Sequence, residues 1–269
     1  ITHNNNFKDV IITAADSLLT RFNPTVGSII SWDVDKGWQS ERGWEFPVII
    51  DNMMNLEMLF EVSELTGNEK YKNVAINHAN TTLKNHFRED NSSYHVIDYD
   101  AKTGEVRNKH TAQGYANESS WARGQAWAVY GYTICYRYTK DNRYLEQAQK
   151  IANFILNYKE TPKDGIPYWD YNAPNIPNEP RDASAAAIIV SALIELDSYT
   201  KNSYKPAIDK IMKSLASENY TAKLGKNNNF ILKHSVGSIP HNNEIDVPLN
   251  YADYYYLEAL IRYKKSQVN

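Results

Sequence analysis

The sequence predicts an all-α protein whose helices pair into αα-hairpins and close into an α/α toroid, with an inner and an outer ring of helices. Apolar residues recur at helical spacing, as at Ile188, Leu193 and Leu196, which is typical of helices with a buried face. A short polar turn followed by a helix with small residues occurs three times, as expected for hairpins. Neither a Pro/Ser-rich linker nor a change in composition divides the chain, so we predict a single domain over residues 1–269.

We predict eight helices, at residues 7–22, 48–66, 69–87, 119–139, 142–158, 182–200, 204–218 and 250–265. Pro47 suits the start of the second helix, where a missing N–H group costs nothing. Gly67 suits its end. Ser119 is placed to cap the fourth helix. Short strands are predicted at 94–99 and 230–234.

The repeat begins at Thr66, Thr139 and Thr200, which are separated by 73 and then 61 residues. These intervals are longer than tetratricopeptide or HEAT units, and they favour a closed toroid over the alternative, an open α-solenoid. The helix after each turn carries small residues that permit close packing: Ala75, Ala79, Ala148, Ala152 and Ala207. A toroid of six hairpins needs twelve helices, so eight predicted helices indicate an incomplete ring or an undercount.

Composition excludes several classes of protein. The chain has 29 Lys and Arg against 32 Asp and Glu, and its net charge of −3 argues against a nucleic-acid partner. No apolar run approaches the ~20 residues of a membrane-spanning helix. With Cys135 as the one cysteine, an internal disulfide and a multi-cysteine zinc site are excluded. The 20 Tyr and 6 Trp residues suit either a sugar-binding cleft or core packing.

Asp51 is the first candidate for chemistry, because it lies one turn into the predicted helix 48–66 among Val, Ile, Leu and Met residues. The helix dipole would favour its anion, whereas apolar surroundings would raise its pKa. Both a first-turn structural acid and a functional acid therefore stay open. Glu118, Asp170 and Asp182 are further carboxylates that could pair with Asp51 in a two-carboxylate glycosidase.

The second candidate is the segment 113–127, which contains Gln113, Trp121, Arg123 and Trp127. Near a helix N-terminus, an Arg flanked by Trp residues can grip a carboxylate attached to a flat ring. Core packing of the Trp residues around a solvated Arg is the alternative. His95 lies in the predicted strand 94–99 and matters only if it projects into the same cleft. Trp32 lies in the loop before Asp51 and is placed to form a rim.

Three segments together resemble the unsaturated glucuronyl hydrolases of glycoside hydrolase family 88: Ile50-Asp-Asn-Met-Met-Asn55, Tyr94-His95 and Gln113-Gly-Tyr through Trp-Ala-Arg-Gly-Gln-Ala-Trp127. Asp253-Tyr-Tyr-Tyr-Leu-Glu-Ala-Leu260 is similar to that family's last helix. In the related unsaturated rhamnogalacturonyl hydrolases we would expect Arg-Gly-Asn-Gly-Trp where this chain has Arg-Gly-Gln-Ala-Trp. The resemblance implies an (α/α)6 toroid that removes the unsaturated uronic acid left by a polysaccharide lyase at a non-reducing end.

The resemblance also implies roles for individual residues. Asp51 matches the general acid/base, and Trp32 matches an aromatic stacking position. The resemblance implies neither a metal nor an organic cofactor. It also implies that the protein is located in a bacterial cytoplasm or periplasm, as members of the family are. Five positions match residues that line the substrate pocket: His95, Gln113, Trp121, Arg123 and Trp127.

This chain departs from the family pattern in two places. The family has a further Asp in an upstream hairpin, and we expect this chain to begin after it and to lack the N-terminal hairpins. If no other segment supplies that part, we expect the isolated chain to be poorly active or inactive. Members that act on sulfated glycosaminoglycans carry Ser and Lys residues in a loop before the last helix. The comparable stretch here, Ser238-Ile-Pro-His-Asn-Asn-Glu244, has no Lys and does not favour sulfated fragments.

The sequence is also compatible with two other functions. One is an inverting glycosidase that acts on saturated chains with two carboxylates. The other is a non-catalytic α/α protein that binds carbohydrate. The first predicts sugar release without a change in ultraviolet absorbance, and the second predicts binding without turnover.

Overall fold

A computed structural model describes residues 5–200 and 203–267. These residues form eight α-helices: α1 (Lys8–Leu19), α2 (Leu56–Thr66), α3 (Glu69–Asn85), α4 (Ala122–Thr139), α5 (Asn142–Asn157), α6 (Ala183–Asp197), α7 (Lys205–Leu215) and α8 (Asn250–Ser266). Every helix predicted from the sequence has a counterpart, and most boundaries agree within three residues. No helix in this described part is both long enough and apolar enough to cross a membrane.

The helices form two layers. α2, α4, α6 and α8 pack side by side in that order, and α3, α5 and α7 return along the outside as the second helices of hairpins. α4 and α6 are buried almost all round, which Ala, Gly and Ser residues permit because they let neighbouring helices approach closely. The predicted hairpin architecture is therefore confirmed, and the helices that carry the small residues, α3, α5 and α7, are the second helices of the hairpins.

Within the residues that the structure describes, seven short strands occupy the loops between helices. They are β1 (Phe22–Asn23), β2 (Ser28–Ile29), β3 (Phe46–Ile49), β4 (Val96–Tyr99), β5 (Val106–His110), β6 (Ser235–Ser238) and β7 (Asn243–Val247). They pair antiparallel into three small sheets, β1–β2, β3–β4–β5 and β6–β7. The strand predicted at 94–99 is confirmed as β4.

The predicted start of the second helix at Pro47 is wrong. Pro47 lies in the edge strand β3, where the lack of an N–H group is tolerated. A 3-10 helix, Ile50–Asn55, follows, and α2 begins only at Leu56. The β-branched residues Val48 and Ile49 pair with Ile97 and Val96 of β4, and this distant partner outweighs the local helical pattern.

Two further local predictions are wrong. The strand predicted at 230–234 is reduced to an isolated antiparallel bridge between Leu232 and Thr221, and the next regular strand is β6. The Asp253 carboxylate accepts the N–H groups of Ile231 and Leu232 at 2.8 Å, so these amides are not available to a further strand. Ser119 does not cap α4. Its hydroxyl instead contacts the Ala116 backbone and the Asp170 carboxylate, and the helix begins three residues later, at Ala122. Gly67 does end α2, with a positive φ of 69°.

Gly131 sets the closest approach between α4 and the segment that carries Asp51. A Cβ atom at this position would lie 2.4 Å from Cβ of Met53 and 3.1 Å from its carbonyl oxygen. We expect Gly131→Ala to lower the free energy of unfolding by about 1–3 kcal/mol, the usual cost of overpacking, although alanine is the better helix former. Urea denaturation measures this, with Ala126→Gly as the reference for helix propensity. An unchanged or raised stability of Gly131→Ala would contradict the packing described here.

Candidate active site

The pairing of β3 with β4 brings Asp51 and His95 together. The Ile50 amide donates to the His95 carbonyl at 3.0 Å, continuing the ladder in which Ile49 faces Val96. Asp51 follows directly, and its Oδ2 atom lies 3.7 Å from Nε2 of His95. The register of the two strands thus makes neighbours of two residues that are 44 positions apart in the sequence.

The Asp51 side chain lies in a largely dry position. Only 21% of its surface is exposed, and its buried Oδ2 atom has no hydrogen-bond partner among the described residues. Burial raises the pKa of Asp51 from 3.8 to about 6, and the positive charge of Arg123 and the Trp127 indole offset this only in part. A carboxyl group with such a pKa can exchange a proton near neutral pH, as a general acid/base must.

His95 is buried between indole rings. Its ring centroid lies 4.5 Å from that of Trp121 and 6.2 Å from that of Trp32. The Nδ1 atom accepts the backbone N–H groups of Ala112 at 3.0 Å and Gln113 at 3.2 Å. Burial, together with nearby positive charge, lowers the pKa of His95 well below 6.5, so the ring is neutral at physiological pH.

Arg123 is buried rather than solvated. Its guanidinium lies over the Trp121 ring at 4.5 Å and pairs with Asp182 at 3.2 Å. It also donates to the carbonyls of Val236 and, at 2.7 Å, of Gly237. The side chain therefore fastens β6 to the start of α4, and its charge reaches Asp51 from that position.

The two Trp residues of the predicted segment are also buried. Trp121 lies between His95 and Arg123 and is 2% exposed, in agreement with the packing alternative. Trp127 is 4% exposed and contacts the Tyr255 ring edge-on at 5.1 Å. Trp121 thus shapes the cleft through the residues it supports, whereas Trp127 borders Asp51 itself.

A cavity of about 380 Å³ opens beside these residues. Gln113 lines it and is held by a hydrogen bond from its side chain to the Gly237 carbonyl at 3.0 Å. Trp32 stacks on Trp44, at 5.6 Å between ring centroids, and presents its ring to the same space. The other lining residues are Trp38, Ala112, Ser238, His241 and Asn243. The structure therefore groups Trp32 and Gln113 with Asp51 and His95 at one end of the helical layers.

Sequence reasoning missed Arg42 at this site and assigned a different role to Asp182. Arg42 lies over the Trp38 ring at 4.9 Å and contacts Nε2 of His241 at 3.2 Å. Asp182 holds Arg123, although the sequence suggested it only as a spare carboxylate. The signals available were weak: a Trp in the rim loop, and a His before the last helix.

The three spare carboxylates have partners other than Asp51. Glu118 accepts from the Tyr94 hydroxyl at 3.0 Å. Asp170 accepts from the Tyr115 amide and the Ser119 hydroxyl. Asp182 pairs with Arg123 and caps α6. These contacts do not favour a second catalytic carboxylate beside Asp51. Within the described residues, no group of three or more His, Cys, Asp or Glu side chains could hold a metal ion.

Two layers of αα-hairpins, with a buried carboxyl group and indole rings at one end, are typical of glycoside hydrolases built on an α/α toroid. The chain belongs to one such family: the model of Glycosyl Hydrolase Family 88 matches residues 1–267.

Similar proteins agree with this family. The chain is 54% identical over 260 residues to an unsaturated glucuronyl hydrolase of Formosa agariphila, and the alignment covers 96% of this chain and 64% of that protein. It is 36% identical over 265 residues to an unsaturated chondroitin disaccharide hydrolase of Streptococcus agalactiae, with the same two coverages of 96% and 64%. A crystal structure of an unsaturated glucuronyl hydrolase specific for heparin superposes with a TM-score of 0.95 at 49% identity, covering 100% of this chain and 71% of that one.

These likenesses confirm the predicted all-α toroid. The chain spans about 64% of the length of the two curated relatives.

Proposed function

We propose that this chain is a glycoside hydrolase that removes a 4,5-unsaturated uronic acid from the non-reducing end of lyase-generated oligosaccharides. The observation that carries the proposal is the mostly buried Asp51 carboxyl group, whose pKa is about 6. It lies beside neutral His95 and a cavity lined by indole rings. The names of the relatives support the same substrate class. We further propose that residues 1–269 act as one catalytic domain.

The chemistry needs one carboxyl group rather than two. The C4=C5 bond of the substrate is a vinyl ether, because C5 also bears the ring oxygen. Protonation of C4 leaves positive charge at C5, which the ring oxygen shares, and water then adds to C5. The resulting hemiketal opens, and the glycosidic bond is lost without attack at C1. An ordinary glycosidase would instead flank the bond with two carboxylates.

In this scheme Asp51 gives its proton to C4 and then takes one from the attacking water. His95 and Gln113 hold the water and hydroxyl groups, and Trp32 and Trp127 border the sugar rings. The predicted direct grip of Arg123 on the substrate carboxylate remains a hypothesis. Its contacts with Asp182 and β6 support a second role, in which it holds the cavity wall and favours an anion nearby.

The relatives come from bacteria, which supports a bacterial cytoplasm or periplasm as the compartment. The relatives named for heparin and chondroitin support uronic-acid disaccharides of glycosaminoglycans as the first substrates to try.

The test follows the ultraviolet absorbance of the conjugated double bond. The chain should remove this absorbance from unsaturated disaccharides, slowly if no other segment supplies the upstream Asp, and release the second sugar in equal amount. Release of sugar from saturated substrates with no absorbance change would overturn the proposal in favour of an inverting glycosidase. Oligosaccharide binding without turnover would overturn it in favour of a non-catalytic binding protein.

A further inference from the structure

The loop that precedes α4 determines which nitrogen of His95 carries the proton. The amides of Ala112 and Gln113 both point their hydrogens at Nδ1, at 3.0 and 3.2 Å. The Thr111 hydroxyl lies 3.4 Å from the same atom, and its oxygen accepts the Gly114 amide at 2.7 Å. A ring nitrogen that receives N–H donors must present a lone pair. Nδ1 is therefore unprotonated, and the hydrogen of the neutral ring is on Nε2.

The Nε2 atom is buried and has no hydrogen-bond partner among the described residues, and the same is true of Asp51 Oδ2. Buried polar atoms are almost always satisfied, so two such atoms side by side need an explanation. Their separation of 3.7 Å is too long for a direct hydrogen bond. A single oxygen atom above the line between them can, however, lie at about 2.8 Å from each.

We propose that the backbone amides of Ala112 and Gln113 lock His95 in the Nε2–H tautomer, and that this fixed donor holds the reacting water against Oδ2 of Asp51. The inference rests on the proposed function and adds the positioning groups to it. The water accepts a hydrogen bond from Nε2–H, which keeps its proton, and it attacks C5 with its other lone pair while one of its own protons passes to Asp51. The O–C5 bond forms, and Asp51 regains the proton that it lost to C4.

A neutral donor suits this position better than an imidazolium. Positive charge develops at C5 and the ring oxygen in the transition state, and a second positive charge close to it would oppose the reaction. Burial and the nearby arginines keep the pKa of His95 well below its ordinary value. The charged and titratable groups that face the ring are Asp51, Arg123, Arg42, His86 and His241.

The tautomer can be measured directly on the full chain. Long-range ¹H–¹⁵N spectra of histidine-labelled protein distinguish Nδ1–H, Nε2–H and imidazolium rings, and the signal lost in His95→Asn assigns His95 among the seven histidines. We expect an Nε2–H ring at pH 7 that persists to pH 5. An Nδ1–H ring or an imidazolium at pH 7 would overturn the inference. This measurement does not depend on turnover, so it is independent of the proposed function.

Two variants separate the lock from the donor. In His95→Asn, the side-chain oxygen replaces Nδ1 and keeps the two loop amides bound, but the donor at Nε2 is lost. In His95→Gln, the amide nitrogen reaches the Nε2 position, but the loop amides lose their acceptor. We expect His95→Asn to lower kcat by about 10²-fold with KM little changed. His95→Gln should retain more kcat and raise KM, because Gln113 is in the released loop.

A His95→Asn variant with the kcat of the unsubstituted chain would refute the donor role. Equal losses in both variants would indicate a merely structural histidine and would also refute it. If the unsubstituted chain shows no turnover, the proposed function fails. The measured tautomer of His95 then still tests whether the amides of Ala112 and Gln113 fix the ring. If turnover occurs with the other tautomer, only the present inference fails.

Discussion

Asp51→Asn should slow the loss of ultraviolet absorbance by a factor of at least about 10²–10⁴, which is the usual contribution of positioned proton transfer to the rate. The amide has nearly the shape of the carboxyl group but cannot give a proton to C4 or take one from water. In the unsubstituted chain, kcat/KM should fall as pH rises above about 6, because the first step needs the protonated acid and the pKa of Asp51 is about 6. Initial rates from pH 4 to pH 9 measure both effects.

The same substitution should stabilise the protein at neutral pH. Folding raises the pKa of Asp51 from 3.8 to about 6, so the folded state holds the proton more tightly than the unfolded state does. The contribution of Asp51 to stability therefore falls as pH rises from about 4 through 6, and its full penalty, at most about 3 kcal/mol, is present above pH 6. Asparagine is neutral at every pH and escapes this penalty. The stability gain should be largest at pH 7 and disappear near pH 4.

Asp100→Asn is the matched control, because Asp100 lies in an exposed turn where the amides of Thr103 and Lys102 lower its pKa. This variant should keep its activity and gain no stability. Urea denaturation at pH 4 and pH 7 measures the difference between the two variants. A destabilised Asp51→Asn, or one that turns over substrate at the original rate, would contradict the role given to Asp51.

Asp182→Ala should lower the free energy of unfolding by about 3–5 kcal/mol, because it leaves the buried Arg123 charge without its counter-ion. The same carboxylate caps α6 by accepting the amides of Ser184 and Ala185, and it also receives the Val236 amide. Its loss therefore removes contacts that join α6 to Arg123 of α4 and to β6. Since Gly237 of β6 also holds Gln113, substrate affinity should fall as well.

Asp141→Ala provides a matched comparison. Asp141 caps α5 through the Arg143 amide and pairs with the Arg143 side chain at 2.6 Å, but this Arg is 62% exposed. An exposed cap of this kind contributes about 1 kcal/mol. Urea denaturation of both variants, followed by helical circular dichroism, measures the contrast. Equal losses would show that burial of the Arg123–Asp182 pair does not matter for stability.

Much of the helical framework was predictable from the sequence, because helices depend on contacts three and four residues apart. The hairpins were predictable from polar turns and small residues for the same reason. Where a segment bonded to a distant one, the prediction failed. Pro47 lies in β3 because β4 is its partner. Leu232 makes only an isolated bridge with Thr221, while its amide binds the Asp253 carboxylate.

The amino-acid sequence by itself determined the class of fold and the chemical groups available: a carboxyl group at position 51 amid apolar residues, an imidazole at 95, and indoles around 123. Tertiary structure alone decided how those groups are used. It brought Oδ2 of Asp51 to 3.7 Å from His95 through strand register, and it buried Arg123 against Asp182 and β6. The reason is physical: helix formation is local, whereas desolvation, pairing of buried charges and the choice of tautomer depend on residues that are far apart in the chain.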